Sequence, residues 1–142
     1  RTPLSRYVKS WLVVRQGGLR IGVVSANIKP DGLIAQANFK GSKWLDPIKT
    51  ADKRAAWLKR VKKCDLVICL SHLGHKMDED MADDLKLAAG SRYIDVILGG
   101  HTHTFLRQPI KVNNLVGQPV IINQVGKSGI YVGRLDLLVD AE

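Results

Sequence analysis

Three of the four histidines in this 142-residue chain follow short apolar runs, in positions where they could bind a metal. His101 and His103 are separated by one residue in IDVILGGHTHTFL (94–106), and His72 follows the apolar run in LVICLSHLGH (66–75). Neutral imidazole is a common ligand for zinc and other first-row metals. The ions of a paired centre lie about 3.5–4 Å apart, so two histidines one residue apart could each reach a different ion. The three histidines therefore form a candidate metal site.

The two apolar runs predict buried strands that carry these histidines at their ends. A helix-like segment, MDEDMADDLKLAAG, separates them, which is the pattern of a β-α-β unit with parallel strands. The carboxyl ends of parallel strands share one edge of a sheet, and open α/β sheets bind ligands at that edge. Gly99 and Gly100 would let the backbone turn sharply there. In an extended loop residues i and i+2 point the same way, so His101 and His103 would face one pocket.

The remaining pattern predicts the elements that support this edge. WLVVRQGGLRIGVVSANI predicts a hairpin at Gly17-Gly18, and KPDGLIAQANFKGSK predicts a loop that could contain a short helix. An amphipathic helix should follow, with Asp46 as its N-cap and Pro47 in its first turn. Its buried stripe would consist of Ile48, Ala51, Ala55, Leu58 and Val61. The segments PIKVNN, QPVIINQVG and GIYVGRLDLLVD predict three antiparallel strands. The fold class is therefore α/β (α+β), a mixed sheet with a β-α-β unit followed by antiparallel strands.

Other reactive or aromatic residues are interpreted as structural. Asp80, Asp83 and Asp84 would be acids on an exposed helix that stops at Gly90, and His75 would be a solvated loop residue. Cys64 and Cys69 would lie roughly 16 Å apart along a strand, which exceeds the ~7 Å that a disulfide allows, so they are expected to be small core residues. The tryptophans are expected to pack, Trp57 beside the helix stripe and Trp11 and Trp44 over the edge of the core.

Composition indicates a single globular domain. Apolar residues make up 45% of the chain and charged residues 25%, and no apolar run approaches the ~18 residues expected of a membrane span. The net charge of +9 is compatible with binding of phosphate or nucleic acid, but the basic residues do not form one block. Binding of nucleic acid is therefore not predicted. The opening stretch RTPLSRYVKS is not predicted to contain the apolar core of a signal peptide, and the chain is expected to be processed or cut from something longer.

The blocks DLVICLSHLGH, IDVILGGHTHTFL and NNLVGQPVIINQVGKSGIYVGRLDLLV resemble the second half of the metallophosphatase domain of the 5′-nucleotidases, in the calcineurin-like phosphoesterase superfamily. The resemblance implies half of a four-layer αββα sandwich, with residues 1–142 as the C-terminal portion of that domain. It also implies a centre of two divalent metals, for which Zn, Mn, Mg and Ca are candidates. His72 and His101 would share one metal, and His103 would bind the other. The activity implied is hydrolysis of phosphomonoesters, typically nucleotides, by a metal-activated water.

Three motifs of the family have no counterpart here: an Asp-x-His pair, a Gly-Asp block that bridges the metals, and an Asn-His pair near the leaving group. The catalytic and substrate-binding residues are therefore unknown. The N-terminal metal-binding half and the nucleotide-binding C-terminal domain are expected to be absent. Because three neutral histidines cannot offset two divalent charges, the isolated chain should hold at most one metal, weakly. Three histidines and a water would suit zinc.

Two kinds of function remain open at this point. One is a metal-dependent phosphohydrolase that is incomplete in this chain, acting on a nucleotide or other phosphomonoester. The other is a non-catalytic half-domain that completes a partner chain. The first predicts a partner segment or chain carrying the missing ligands, and the second predicts a stable monomer without hydrolysis. A half-sandwich leaves one sheet uncovered, so an exposed apolar face would argue against the stable monomer and for a partner or self-association. The resemblance also implies a periplasmic or extracellular location.

Overall fold

The computed structural model describes residues 6–139, which form six strands and two helices around one sheet. In chain order the elements are β1 (Leu12–Gln16), β2 (Leu19–Asn27), α1 (Pro47–Arg60), β3 (Leu66–His72), α2 (Asp84–Gly90), β4 (Val96–Leu98), β5 (Ile110–Asn113) and β6 (Pro119–Asn123), and a 3-10 turn lies at Gln36–Asn38 between β2 and α1.

The sheet has the strand order β1-β2-β3-β4-β6-β5. Its four inner strands, β2, β3, β4 and β6, are parallel, and the edge strands β1 and β5 are antiparallel to their neighbours. The predicted α/β class and mixed sheet are therefore confirmed, including the parallel pairing of β3 with β4. The parallel arrangement brings the carboxyl ends of four strands to one edge, where a ligand site is expected.

The hairpin and the first helix form as their sequences predict. Gly17 and Gly18 have φ angles of 57° and 84°, which suit the two-residue turn between β1 and β2. The Asp46 side chain accepts a hydrogen bond from the Lys49 amide, and Pro47 is the first helical residue of α1. The stripe is confirmed except at Val61, which follows the helix and is 59% exposed.

The second helix is shorter than its sequence suggests. The prediction that its acids are exposed is wrong for Asp83 and Asp84. The helix covers only Asp84–Gly90, and Asp80 lies before it, exposed. Asp83 is the buried N-cap, which accepts hydrogen bonds from the Met77 and Lys86 amides. Asp84 is completely buried. The Asp83 carboxylate is satisfied by amides of its own segment, whereas the Asp84 carboxyl is reached by the Ser71 hydroxyl at the end of β3.

The C-terminal segments follow the prediction only in part. β5 and β6 pair antiparallel as expected, but β6 also pairs with β4 in parallel and so becomes an inner strand. No strand is present in residues 129–139. Gly133 instead packs so closely on the chain just after β6 that a Cβ there would lie 2.7 Å from Val125 Cγ1. Within residues 133–139 the alternation reflects contact with the sheet rather than pairing within it, because Leu135 and Leu137 line a cavity with strand residues; Asp140, the last residue of the predicted strand, lies outside the described residues.

The two faces of the sheet differ sharply. The helices cover one face, where side chains such as Val24, Cys69 and Ile97 form the core with Ala55 and Leu58 of α1. We call the opposite side the open face. It exposes apolar side chains from three strands: Leu12, Val14, Leu70 and Leu98.

The open face is uncovered over β1 and β3, whereas beside β4 Leu135 and Leu137 line a cavity together with Val96 and Leu98. Because β3 alternates, Ser71 faces the helices and His72 lies on the open side. The candidate ligand therefore shares a face with the exposed leucines.

Cys64 and Cys69 are buried and unpaired, as expected. Burial, and to a smaller extent the neighbouring Asp84 carboxylate, raises the pKa of the Cys69 thiol to about 12. No helix in residues 6–139 is long and apolar enough to cross a membrane.

Candidate metal centre

His72 and His101 meet at the carboxyl edge of the sheet. His72 is the last residue of β3, and His101 follows β4 after two glycines. Their ring centroids are 5.2 Å apart, with the rings edge to face at 65°. His72 is exposed and His101 is half-buried, so the pair is accessible from solvent. The parallel strands thus bring together two imidazoles that are distant in sequence.

The two glycines matter for close approach rather than for a left-handed turn. Neither has a positive φ angle. A Cβ on Gly100 would lie 3.2 Å from His72 Nδ1 and 3.4 Å from the Ser71 carbonyl oxygen. A Cβ on Gly99 would overlap the Asp84 carboxylate beneath the loop. The Gly-Gly pair therefore allows the loop to lie directly against the end of β3.

The loop that carries His101 and His103 is not extended, so the reasoning that placed both in one pocket is wrong. Both residues have positive φ angles, 75° and 53°. His103 is exposed, and no ring contact in the described chain joins it to the other two histidines. Within residues 6–139 no three His, Cys, Asp or Glu side chains come together in a way that could hold a metal ion.

Gln124, which the sequence analysis did not select, binds this loop from below. Its side chain is 2% exposed. Its Nε2 donates to the Gly100 carbonyl at 3.0 Å, and its Oε1 accepts from the Thr104 amide and from Thr102 Oγ1, the latter at 3.1 Å. These bonds join backbone and side-chain groups on either side of His101 and His103. A polar residue directly after the apolar run VIIN was the available signal.

A second buried group, Asp84, lies beneath the end of β3. Ser71 Oγ donates to Asp84 Oδ1, and no hydrogen bond partner is present for Oδ2 among the described residues. The pKa of the Asp84 carboxyl is raised from 3.8 to about 6: burial is the main cause, the Ser71 hydrogen bond opposes the rise, and the nearby Asp83 carboxylate adds to it. A protonated Asp84 is therefore favoured in the folded chain up to about pH 6.

The prediction that His75 is solvated is also wrong. The residue is half-buried, its amide donates to Thr102 Oγ1 at 3.0 Å, and its Nδ1 is buried without a hydrogen bond partner in the described structure. The hydrogen bond ties the loop after β3 to the loop after β4. His75 thus belongs to the support of the site.

The residues present supply part of the ligand set of one divalent ion. Two adjacent imidazoles offer neutral nitrogen ligands of the kind that zinc and other first-row metals accept. The fixed position of His72 depends on Gly100, whose Cβ, if present, would crowd the His72 ring. Neither histidine supplies negative charge, however, so further ligands are needed for tight binding.

Comparison of the sequence with known proteins finds relatives among nucleotide phosphohydrolases. No model of a known protein family matches the chain. The chain is 33% identical to an apyrase of Tabanus yao over 93% of its own length and 25% of the apyrase. It is 35% identical to the trifunctional nucleotide phosphoesterase protein YfkN of Bacillus subtilis over 67% of its own length and 6% of that protein.

A solved structure shares the fold. The 5′-nucleotidase precursor from Thermus thermophilus superposes with a TM-score of 0.64 at 29% identity, over 85% of this chain and 25% of the precursor. The sheet thus has the fold of metallophosphoesterase domains. The chain shares sequence and fold with the 5′-nucleotidase family of calcineurin-like phosphoesterases. It spans about a quarter of the length of the apyrases it matches.

Proposed function

We propose that this chain is the C-terminal portion of a metallophosphatase domain and supplies part of the centre of a metal-dependent phosphomonoester hydrolase of the 5′-nucleotidase type. The observation that carries the proposal is the His72–His101 pair at the carboxyl edge of the parallel strands, with ring centroids 5.2 Å apart. The relatives support the reaction class, since their names describe apyrases and nucleotide phosphoesterases. The substrates would be nucleotides or related phosphomonoesters.

In this proposal His72 and His101 hold one metal, and His103 reaches a second metal when the other ligands are supplied. A divalent ion would stabilise charge on the phosphoryl oxygens and activate a water. The chain's own residues orient the two imidazoles: Gly100 lets the rings approach, and Gln124 holds the loop. The net charge of +9 favours anionic substrates. A periplasmic or extracellular location remains a prediction that rests on the family resemblance.

The missing acidic ligands would come from a segment that covers the open face. Leu70 and Leu98 are 49% and 39% exposed on that face, beside His72. A partner segment packed there would bury the leucines and place its own side chains next to the histidines. The same observation favours the second candidate function, a half-domain without activity of its own that completes a partner chain.

The test measures metal binding and AMP hydrolysis by the purified chain with Zn²⁺ or Mn²⁺. We expect at most one weakly bound ion, which His72→Ala and His101→Ala abolish. His103→Ala is the matched control, because His103 lies outside the pair, and it should leave this ion bound. Two tightly bound ions per chain would contradict the incomplete centre, and no ion under any condition would contradict the metal site.

Hydrolysis separates the two candidate functions. AMP hydrolysis that is lost in His101→Ala would mean that the chain is an enzyme by itself. Metal binding without hydrolysis would favour the half-domain that needs a partner.

A further inference from the structure

A cavity of about 760 Å³ lies directly beside His72. The long connection between β2 and α1 forms most of it, and Asn27 and His72, the last residues of β2 and β3, complete its lining. Small-molecule sites usually have volumes of about 300–1,000 Å³. The cavity is therefore large enough for the organic part of a phosphate ester whose phosphate lies at the histidines.

Trp44 holds a central place in this cavity. The prediction that it covers the edge of the core is not confirmed: it is 41% exposed and lies outside the core cluster. Its indole N–H donates to the Asn27 carbonyl over a long 3.5 Å, and Asn27 pairs with His72 across β2 and β3. The ring is thus attached to the strand end next to the candidate metal ligand. Trp44 also lines a neighbouring cavity of about 390 Å³ on the side of Met81.

The other lining residues show what chemistry the cavity could accept. Its apolar wall includes a second aromatic ring, Phe39, together with Ile28 and Leu33. Two lysines, Lys29 and Lys43, face one aspartate, Asp31, which pairs with Lys29 at 3.3 Å. The charged side chains therefore leave a positive surplus beside an apolar, aromatic wall. This combination suits a ligand that is both planar and anionic.

We infer that this cavity binds the planar aromatic group of a phosphomonoester, with Trp44 as the stacking surface. The inference rests on the proposed function, because it assumes that the phosphate lies at His72 and His101. It assigns the aromatic part of the substrate to this domain itself. Stacking on Trp44 would then select aromatic phosphates over aliphatic ones.

The test compares the affinity of the 142-residue chain for phenyl phosphate and for glycerol 2-phosphate by calorimetry. We expect phenyl phosphate to bind about threefold to tenfold more tightly, the range that aromatic contacts provide. Trp44→Phe should keep the preference, whereas Trp44→Leu and Trp44→Ala should remove it. Tyr7→Ala, which removes an exposed aromatic ring outside the cavity, should keep it. Circular dichroism establishes that each variant is folded.

Two results would overturn the aromatic site: equal affinity of the native chain for both ligands, or an unchanged preference in Trp44→Ala. A preference retained in Trp44→Leu would show that apolar bulk, not stacking, is responsible, and would also overturn it. Repeating the titrations with Mn²⁺ and with EDTA separates this inference from the proposed function. If Mn²⁺ strengthens neither ligand and His101→Ala changes nothing, the metal-dependent function fails, while the Trp44 series still decides the aromatic site.

Discussion

Ser71 and His72 are neighbours in sequence but serve different sides of the sheet. Ser71 is buried towards the helices and donates to Asp84, whereas His72 is exposed on the open side. The candidate ligand is therefore anchored by the residue before it. The hydrogen bond from Ser71 fixes the end of β3 at the position where the His72 ring meets His101.

At the residue scale, Asp84→Asn should remove the loss of folding stability that the buried Asp84 carboxyl causes as pH rises. The folded chain keeps the Asp84 proton up to about pH 6, whereas an unfolded chain releases it near 3.8. The stabilisation by the protonated form is present below about pH 4 and is lost as pH rises through 6. The free energy of unfolding of Asp84→Asn, minus that of the native chain, should therefore increase by about 2 kcal/mol between pH 4 and pH 7.

Urea unfolding of the metal-free proteins at several pH values measures this difference. Asp80→Asn is the matched control, since Asp80 is an exposed acid of the same segment. A difference for Asp84→Asn that stays constant with pH would contradict the assignment of the buried proton.

The meeting of His72 and His101 could be predicted from sequence, whereas the roles of Asp84 and Gln124 could not. Parallel strands share an edge whatever their side chains, so two strand-end histidines must approach one another. The burial of Asp84 depends instead on Ser71 and on the turn before α2, which are contacts in space. In the sequence Gln124 is an ordinary polar residue after a strand, because its role depends on hydrogen bonds to a loop that is distant along the chain.

At the element scale, the loop from Gly99 to Thr104 should depend on Gln124 for its shape. Gln124→Leu removes three hydrogen bonds to the loop, so we expect the affinity for Zn²⁺ to fall at least about tenfold, as for other residues that orient metal ligands. Gln124→Glu keeps the acceptor oxygen and should lower the affinity for Zn²⁺ by a smaller factor. Calorimetric titration with Zn²⁺ measures the affinity.

Gln16→Leu, which changes an exposed glutamine at the end of β1, is the control for that substitution. Equal Zn²⁺ affinities of the native chain and Gln124→Leu would show that the loop keeps its shape without Gln124.

The same loop makes Gly99 sensitive to substitution. A Cβ at this position would overlap Asp84 Oδ2, so Gly99→Ala should lower the free energy of unfolding by about 1–3 kcal/mol. Asp84→Ala removes the overlapping carboxylate. In a double-mutant cycle Gly99→Ala should therefore cost clearly less in the Asp84→Ala background, and additive effects would exclude a direct clash.

Sequence patterns located most elements here, but not how the last ones join the sheet. The hairpin, α1 and the β3–β4 pair follow from local signals such as Gly17-Gly18 and Asp46-Pro47. β6 pairs with the free edge of β4, which is a contact in space. The periodicity of a segment does not say which strand edge it will join. Residues 129–139 keep a strand-like alternation, yet they pack on the sheet without joining it.

At the scale of the whole molecule, the open face should make the isolated chain associate. Its exposed leucines form an apolar surface on one side of a single sheet. We expect a concentration-dependent increase in mass by sedimentation analysis, which Leu70→Lys with Leu98→Lys suppresses. Val61→Lys, on the helical side and also exposed, should have no such effect. A native chain that stays monomeric at all concentrations would contradict this prediction.

The alternation of β3 has a further consequence for how its length can change. Inserting one residue before Ser71 would turn the hydroxyl to solvent and the imidazole into the apolar interior, so the metal ligand and its anchor would exchange places. Inserting two would restore both faces but advance His72 by about 6.6 Å, beyond the reach of His101. The strand therefore tolerates neither odd nor even insertions ahead of its last two residues, and any lengthening of this region must fall in the loops on either side.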